Sequence, residues 1–172
     1  MRNNVRKLSD LPHMITSHKT FSFLAIAVFF QAMGGLMGWI TSQSLDGWYQ
    51  ELARSPFNPP DYAFGIAWTI LYFLLSVSFF LLWQSAKTKE RSIALRLFFF
   101  HMVLNWAWSP LFFTAHQLFA AFALIVLLIV TAIFMMAFYY KKINRTAGLL
   151  FIPYILWLCL AGHLSYYIWA HN

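Results

Sequence analysis

The stretch WYQELARSPFNPPDYAFGIAW, residues 48–68, interrupts a chain that is otherwise dominated by long apolar runs. Pro56, Pro59 and Pro60 prevent a regular helix and restrict the conformations of the chain. The stretch also carries several aromatic side chains, which would be costly to leave in water. We therefore expect residues 42–61 to form a stiff, non-helical lid over the mouth of a helical bundle. The alternative is a simple connector whose aromatic residues lie at a lipid interface.

The composition on both sides of this loop is typical of a membrane protein. Of the 172 residues, 61% are hydrophobic and only 10% are charged, whereas about 25% of an average soluble protein is charged. A soluble helical bundle, the alternative, could not cover so much apolar surface. The single cysteine, Cys159, excludes a disulfide framework and a cysteine metal site.

Five apolar runs follow one another, each with about the 20 residues that a helix needs to cross a bilayer. The predicted spans are about 21–41, 62–84, 93–113, 118–140 and 148–169, and they follow an N-terminal tail, 1–20. The short connections after the second, third and fourth spans predict antiparallel neighbours. The predicted fold is therefore all-α, an integral membrane bundle of five transmembrane helices.

The basic residues lie almost entirely on one side of these spans. Eleven of the twelve Lys and Arg residues lie in the N-terminal tail or in or beside the second and fourth connections, and Arg54 in the loop is the exception. The positive-inside rule then predicts a cytoplasmic N-terminus and a C-terminus outside. Helical spans favour a bacterial inner membrane. The net charge of +7 is interpreted as a topology signal with attraction to anionic lipid, and no nucleic-acid partner is expected.

Several large aromatic residues recur at helical spacing and should share one face of their span. They are Trp68, Tyr72 and Phe79 in the second span, and Tyr154 and Trp157, with Ala161 and Leu164, in the fifth. Aromatic walls with few polar groups suit a planar, apolar ligand. The alternative is that these aromatic residues only pack helix against helix.

Polar and small residues inside the spans are expected to face protein or a cavity rather than lipid. Asn105 either forms a hydrogen bond between helices or lies near a pocket. His101 and His163 are interpreted as histidines at helix interfaces, with haem ligation as the alternative. Pro110 should kink or end the third span near its outer mouth. Neither an HExxH motif nor a pair of catalytic carboxylates is found, so no metal site and no general acid–base catalysis are predicted.

The GxxxG pattern of Gly34 and Gly38 in the first span allows helix backbones to approach closely. The approach is predicted either within one chain or across a dimer.

Several motifs, taken in order, resemble the TspO/MBR family of bacterial tryptophan-rich sensory proteins and the mitochondrial translocator protein. WYQELARSPFNPPDYAFGIAWTILY (48–72) resembles the family's first loop and second helix, and GGLMG (34–38) fits its first helix. LNWAWSPLFF (104–113) is similar to the third-helix motif, and PYILWLCLAGHLSYYIW (153–169) to the fifth. Each motif is moderately specific, and together they cover nearly the whole chain.

The resemblance implies a TspO-like five-helix bundle, often a homodimer, that binds protoporphyrin IX or a related tetrapyrrole. The pocket would lie at the mouth of the bundle and be closed by the loop 42–61, for porphyrin transport or sensing. The porphyrin would be a ligand, and no resident cofactor is implied. Trp68 and Trp157 match family tryptophans implicated in ligand binding and in light-dependent porphyrin breakdown, so a porphyrin-degrading enzyme is an alternative. A small-solute or lipid transporter is a third interpretation, although internal repeats and an ion-coupling carboxylate in the membrane are not found.

The predicted ligand-binding residues follow from the helical spacing, the loop and the resemblance together. They are Gly38, Trp39, Pro59, Pro60, Tyr62, Phe64, Trp68, Tyr72, Asn105, Trp108, Phe112, Trp157, Ala161 and Leu164.

Two departures from the family pattern bear on these expectations. Arg54 and Ser55 stand where the family usually has Lys-Pro, so we expect the local course of the lid to differ from the family's. The sequence YIWAHN after Tyr166 lacks the basic residue of the cholesterol-recognition pattern, so sterol binding is not expected.

Overall fold

The part of the chain that the structure describes forms five long helical segments. In the computed structural model, residues 11–45 and 47–172 are described, with side chains from residue 18 onward. The elements are α1 (Leu11–Ser42), α2 (Trp48–Glu51), α3 (Asp61–Gln84), α4 (Lys89–Ser109), a π-helical turn (Pro110–Thr114), α5 (Leu118–Lys142), α6 (Arg145–Leu149) and α7 (Phe151–His171). Five segments are long and apolar enough to cross a membrane: His18–Ser42, Asp61–Gln84, Lys89–Thr114, Leu118–Lys142 and Arg145–His171. The predicted all-α, five-span fold is confirmed.

The ends of the predicted segments differ from the observed helices in two places. The predicted tail 1–20 lies outside the described residues as far as residue 10, and α1 already begins at Leu11. The loop 42–61, of which Asp46 lies outside the described residues, is not wholly non-helical, because α2 forms within it. The prolines begin only after α2, so they do not prevent this turn. Gly47, with a φ of 90°, supplies the backbone conformation that leads into it.

The connection between α3 and α4 is held by hydrogen bonds to the helix ends. The hydroxyl of Thr88 accepts a bond from the backbone N–H of Arg91 at 3.2 Å, which caps the start of α4. The guanidinium of Arg91 in turn donates to the carbonyl of Trp83 at 2.7 Å and satisfies the end of α3. These bonds fix a short connection between two antiparallel spans.

In the core of the bundle, α3 packs against α1, α4 and α7, and α5 packs against α4 and α7. Leu75 and Leu82 of α3 are fully buried, and so are Tyr139 of α5 and Phe151 of α7. Large apolar side chains cover the outer faces of all five spans, for example Val28, Ile70, Phe99, Val130 and Leu156. An apolar outer surface of this extent is suited to lipid rather than to water.

Pro110 interrupts the third span as expected, and it does so by widening the helix. Proline lacks a backbone N–H and its ring crowds the preceding turn. The chain continues as a π-helical turn, in which the N–H of Ala115 donates to the carbonyl of Pro110 at 2.9 Å. The turn carries Phe112 and Phe113 toward the interior, where both are buried.

Two glycines allow close approach within one chain. A Cβ on Gly34 would lie 2.5 Å from the Tyr72 ring. Gly34 of the GxxxG pattern therefore allows α1 to pack closely on α3. A Cβ on Gly38 would meet nothing within 4 Å. On α6, a Cβ on Gly148 would lie 2.7 Å from the backbone carbonyl of Met136 and 2.8 Å from the backbone nitrogen of Tyr140.

We predict that Gly148→Ala destabilises the bundle by about 1–3 kcal/mol, because backbone atoms of α5 would have to move to admit a methyl group. The matched control is Gly35→Ala, since a Cβ on Gly35 meets nothing within 4 Å. Thermal unfolding of both variants in the same detergent measures the difference. Equal unfolding temperatures for the two variants would contradict the close packing of α6 on α5.

Candidate ligand-binding site

A cavity of about 470 Å³ lies at one end of the bundle, beneath the loop 42–61. Every one of the five spans contributes to its wall. The predicted site residues that line it are Gly38, Phe64, Trp68, Tyr72, Asn105, Trp108, Phe112, Trp157, Ala161 and Leu164. A volume of this size lies within the usual range for sites that bind small molecules.

Four of the predicted residues do not line the cavity. Trp39 is 61% exposed and Tyr62 is 73% exposed. Successive helical residues are turned by about 100°, so Trp39 next to Gly38, and Tyr62 two positions before Phe64, face other directions.

Pro59 and Pro60 also lie outside the cavity wall. They precede the first residue of α3, and their carbonyls accept hydrogen bonds there. The carbonyl of Pro60 accepts the hydrogen bond of the Ala63 N–H at 2.9 Å, and the carbonyl of Pro59 accepts one from the Asn58 side chain at 3.1 Å. Neither proline carries a side chain into the cavity.

Other residues that were not predicted also line the cavity. From the loop and its ends these are Leu45, Tyr49, Asn58 and Asp61, and from α1 they include Gln31 and Thr41. A loop has no fixed period, so its inward-facing side chains cannot be read from spacing. Gln31 and Thr41 lie three residues from Gly34 and Gly38 respectively on α1, so helical spacing is the signal that could have found them.

Aromatic contacts hold the first half of the loop on the bundle. Tyr49 is 7% exposed and packs against Phe112 and Phe113, with ring centroids 6.3 and 5.4 Å away. Trp48 stacks on His116 at 3.9 Å. Burial raises the pKa of the Tyr49 phenol, against an opposing effect of the Arg54 guanidinium, so Tyr49 stays neutral near neutral pH.

Polar contacts hold the second half of the loop on α7. The hydroxyl of Ser55 lies 3.1 Å from Nε2 of His163. The side chain of Asn172 accepts a hydrogen bond from the backbone N–H of Ala53 at 3.0 Å and donates to its carbonyl at 3.3 Å. The loop therefore lies across the mouth of the cavity and is attached on both sides.

The floor of the cavity is polar and hydrogen-bonded. The hydroxyl of Tyr72 donates to Oδ1 of Asn105 at 3.1 Å, and Nδ2 of Asn105 donates to the hydroxyl of Tyr154 at 3.0 Å. Below them, the ring nitrogens of His101 lie 2.9 Å from the hydroxyls of Tyr154 and Thr131. Both nitrogens of His101 are thus in use between helices, which agrees with an interface histidine rather than with a haem ligand. Tyr154 itself lies beneath the floor and is fully buried.

Phe79, predicted on the same face as Trp68 and Tyr72, lies further along α3 and outside the cavity. It lines a separate groove of about 270 Å³ between α1, α3 and α4, together with Phe30 and Phe98. This groove is almost entirely apolar and lies among lipid-facing residues.

We predict that His163→Leu increases the rate at which trypsin cuts after Arg54 by about fivefold. The change removes the hydrogen bond between Ser55 and His163, and cleavage in an opening loop follows the population of the open form. The control is Tyr166→Leu, on the same helix, because Tyr166 contacts Phe122 and Trp169 but makes no ring contact with the loop. If both variants are cut at the wild-type rate, the contact with His163 does not hold the loop.

Comparison with known proteins agrees with this architecture. Residues 25–170 match the TspO/MBR family. The chain is 31% identical to the tryptophan-rich protein TspO of Archaeoglobus fulgidus over 141 residues, which cover 82% of this chain and 90% of the relative. It is 30% identical to protein CrtK of Rhodobacter capsulatus over 154 residues (88% and 94%), and 32% identical to the translocator protein of Bos taurus over 155 residues (85% and 89%). The chain is an integral, multi-pass membrane protein and belongs to the TspO/MBR family.

Proposed function

We propose that the chain binds a tetrapyrrole of the protoporphyrin IX type in the cavity beneath the loop 42–61, in the service of porphyrin transport or sensing. The observation that carries this proposal is an aromatic cavity closed by an attached loop. Relatives named tryptophan-rich sensory protein and translocator protein support a sensory or transport role. The porphyrin is a ligand in this proposal, and no resident cofactor is included.

The walls of the cavity fit a flat, apolar macrocycle. Phe64 and Trp157 lie edge to face at 5.6 Å, and Trp108 stacks on Phe112 at 5.0 Å. Ala161 on the same wall takes up little volume between these rings. Aromatic rings contact one another and planar ligands favourably in both arrangements.

The mouth of the cavity is more polar than its walls. Thr41, Asn58 and Asp61 line the cavity at this end. The Arg54 guanidinium of the loop lies 5.4 Å from the ring centroid of Tyr49. Carboxylates on a bound tetrapyrrole would be placed toward this end, because charged groups are costly to bury in the apolar interior. A ligand that touches both loop and bundle favours the closed state of the loop.

We predict that protoporphyrin IX, titrated in the dark into detergent-purified protein, quenches tryptophan fluorescence with saturation. Trp68→Phe and Trp157→Phe should weaken binding by roughly threefold to tenfold, because each removes aromatic contact area from the wall. Trp169→Phe is the control, since Trp169 packs on Phe119 and Phe122 away from the cavity. Quenching that fails to saturate, or that responds equally to all three changes, would remove the porphyrin from the proposal.

The second candidate function is light-dependent degradation of the bound porphyrin. It is favoured by the position of Trp68, whose ring lies 5.3 Å from Tyr72 and 6.4 Å from Tyr154, so that oxidisable side chains adjoin the cavity. Illumination of the same samples discriminates the two functions. Loss of the porphyrin absorption that requires the indoles of Trp68 and Trp157 would support the enzyme, and equal loss in all variants would contradict it.

We also propose a cytoplasmic N-terminus, a bacterial inner membrane and a homodimer. The orientation rests on the basic residues, of which Arg54 alone lies in the loop 42–61. Trypsin added to intact spheroplasts should then cut after Arg54 and leave the other basic sites uncut. Cleavage near Lys87 or Lys141 with Arg54 intact would reverse the orientation.

A further inference from the structure

A chain of hydrogen bonds runs from the cavity floor to the backbone of α5. Its members are Tyr72, Asn105, Tyr154, His101, Thr131 and the carbonyl of Leu127, joined at successive distances of 3.1, 3.0, 2.9, 2.9 and 2.8 Å. Tyr72, Asn105, His101 and Tyr154 are buried. Tyr72 and Asn105 also line the cavity, so one end of the chain faces a ligand.

The far end of the chain fixes the direction in which its protons point. The carbonyl of Leu127 can only accept, so the single hydroxyl proton of Thr131 is directed to it. A threonine hydroxyl inside an apolar helix commonly donates to the carbonyl four residues earlier. Thr131 then accepts from Nδ1 of His101. A charge would be costly among these buried groups, so His101 is neutral and its Nε2 is left as an acceptor.

The same direction continues to the cavity. With Nε2 as acceptor, the hydroxyl of Tyr154 donates to His101 and accepts from the amide of Asn105. The amide oxygen of Asn105 accepts from the hydroxyl of Tyr72. The proton of Tyr72 is therefore already in use, and its oxygen offers only lone pairs to the cavity.

The opposite direction makes one hydrogen bond fewer. If Thr131 donated to His101, every proton would reverse, and the bond to Leu127 would be lost. The hydroxyl of Tyr72 would then have no acceptor within the chain of hydrogen bonds, and an unpaired buried donor is costly.

We propose that His101 and Thr131, which do not line the cavity, are positioning residues that make Tyr72 a hydrogen-bond acceptor toward the ligand. The site would then select a planar, apolar ligand that carries an N–H or O–H group at the depth of Tyr72. This inference rests on one part of the proposed function, namely that the cavity binds a ligand. It adds that the ligand carries a hydrogen-bond donor toward the cavity floor.

The first test measures the tautomer of His101 directly. Protein with ¹⁵N-labelled histidine is reconstituted into lipid nanodiscs, and the signals of His101 are identified by their loss in His101→Asn. The expected spectrum has a protonated Nδ1 and an unprotonated Nε2. A protonated Nε2 in the wild-type protein overturns the proposal.

The second test measures ligand preference with indole and benzofuran, which have nearly the same shape but carry an N–H donor and a ring oxygen respectively. Calorimetric titration into nanodiscs measures the affinity of each probe, and the wild-type protein should bind indole more tightly than benzofuran. Thr131→Val should reduce this ratio of affinities by about tenfold, the equivalent of one hydrogen bond. Thr131→Ser keeps the hydroxyl and should restore the wild-type ratio. Comparing ratios between variants cancels the different partition of the two probes into lipid.

Tyr72→Phe removes the acceptor itself and should abolish the preference for indole. This variant provides the test if Thr131→Val does not fold. A ratio that stays at the wild-type value in Tyr72→Phe or in folded Thr131→Val overturns the proposal. Because neither test uses a porphyrin, failure of protoporphyrin IX to bind would count against the proposed function and leave this inference intact.

Discussion

Within a bilayer, water is not available to satisfy polar groups, and this constraint governs the whole structure. Each backbone N–H and C=O of a span must find a partner inside the protein, which leaves helices as the solution for these apolar runs. The same constraint acts on the few polar side chains within the spans. Asn105, His101 and Thr131 are acceptable there because each is bonded to another helix or to its own backbone.

The packing of the helices leaves a cavity between them. Glycine on α1 lets the ring of Tyr72 approach, and the π-helical turn after Pro110 brings Phe112 inward from the third span. The resulting space has aromatic walls and a polar floor. The same hydrogen bonds that make the buried polar residues tolerable therefore also define what the floor can offer to a ligand.

The loop 42–61 covers the cavity at the end of the bundle. Tyr49 would be exposed to water if the loop extended away from the spans, and instead it is buried against the π-helical turn, whereas Phe57 of the same loop stays 73% exposed. The backbone of the loop is held by the side chain of Asn172 at the other edge. A lid built in this way shields the cavity with the short helix α2 and the irregular chain that follows it.

The sequence by itself determined the five helices, because spans of about 20 apolar residues admit no other structure in lipid. It also indicated Trp68, Tyr72, Trp157 and Ala161 as wall residues, because a helix repeats its faces at a fixed period.

Only the tertiary structure decided which loop residues face inward, since Asn58 lines the cavity whereas Pro59 does not, and a loop has no period from which to read direction. It also decided the partners of His101. Thr131 and Tyr154 are distant from it in sequence, and their contacts with it exist only once α4, α5 and α7 have packed together.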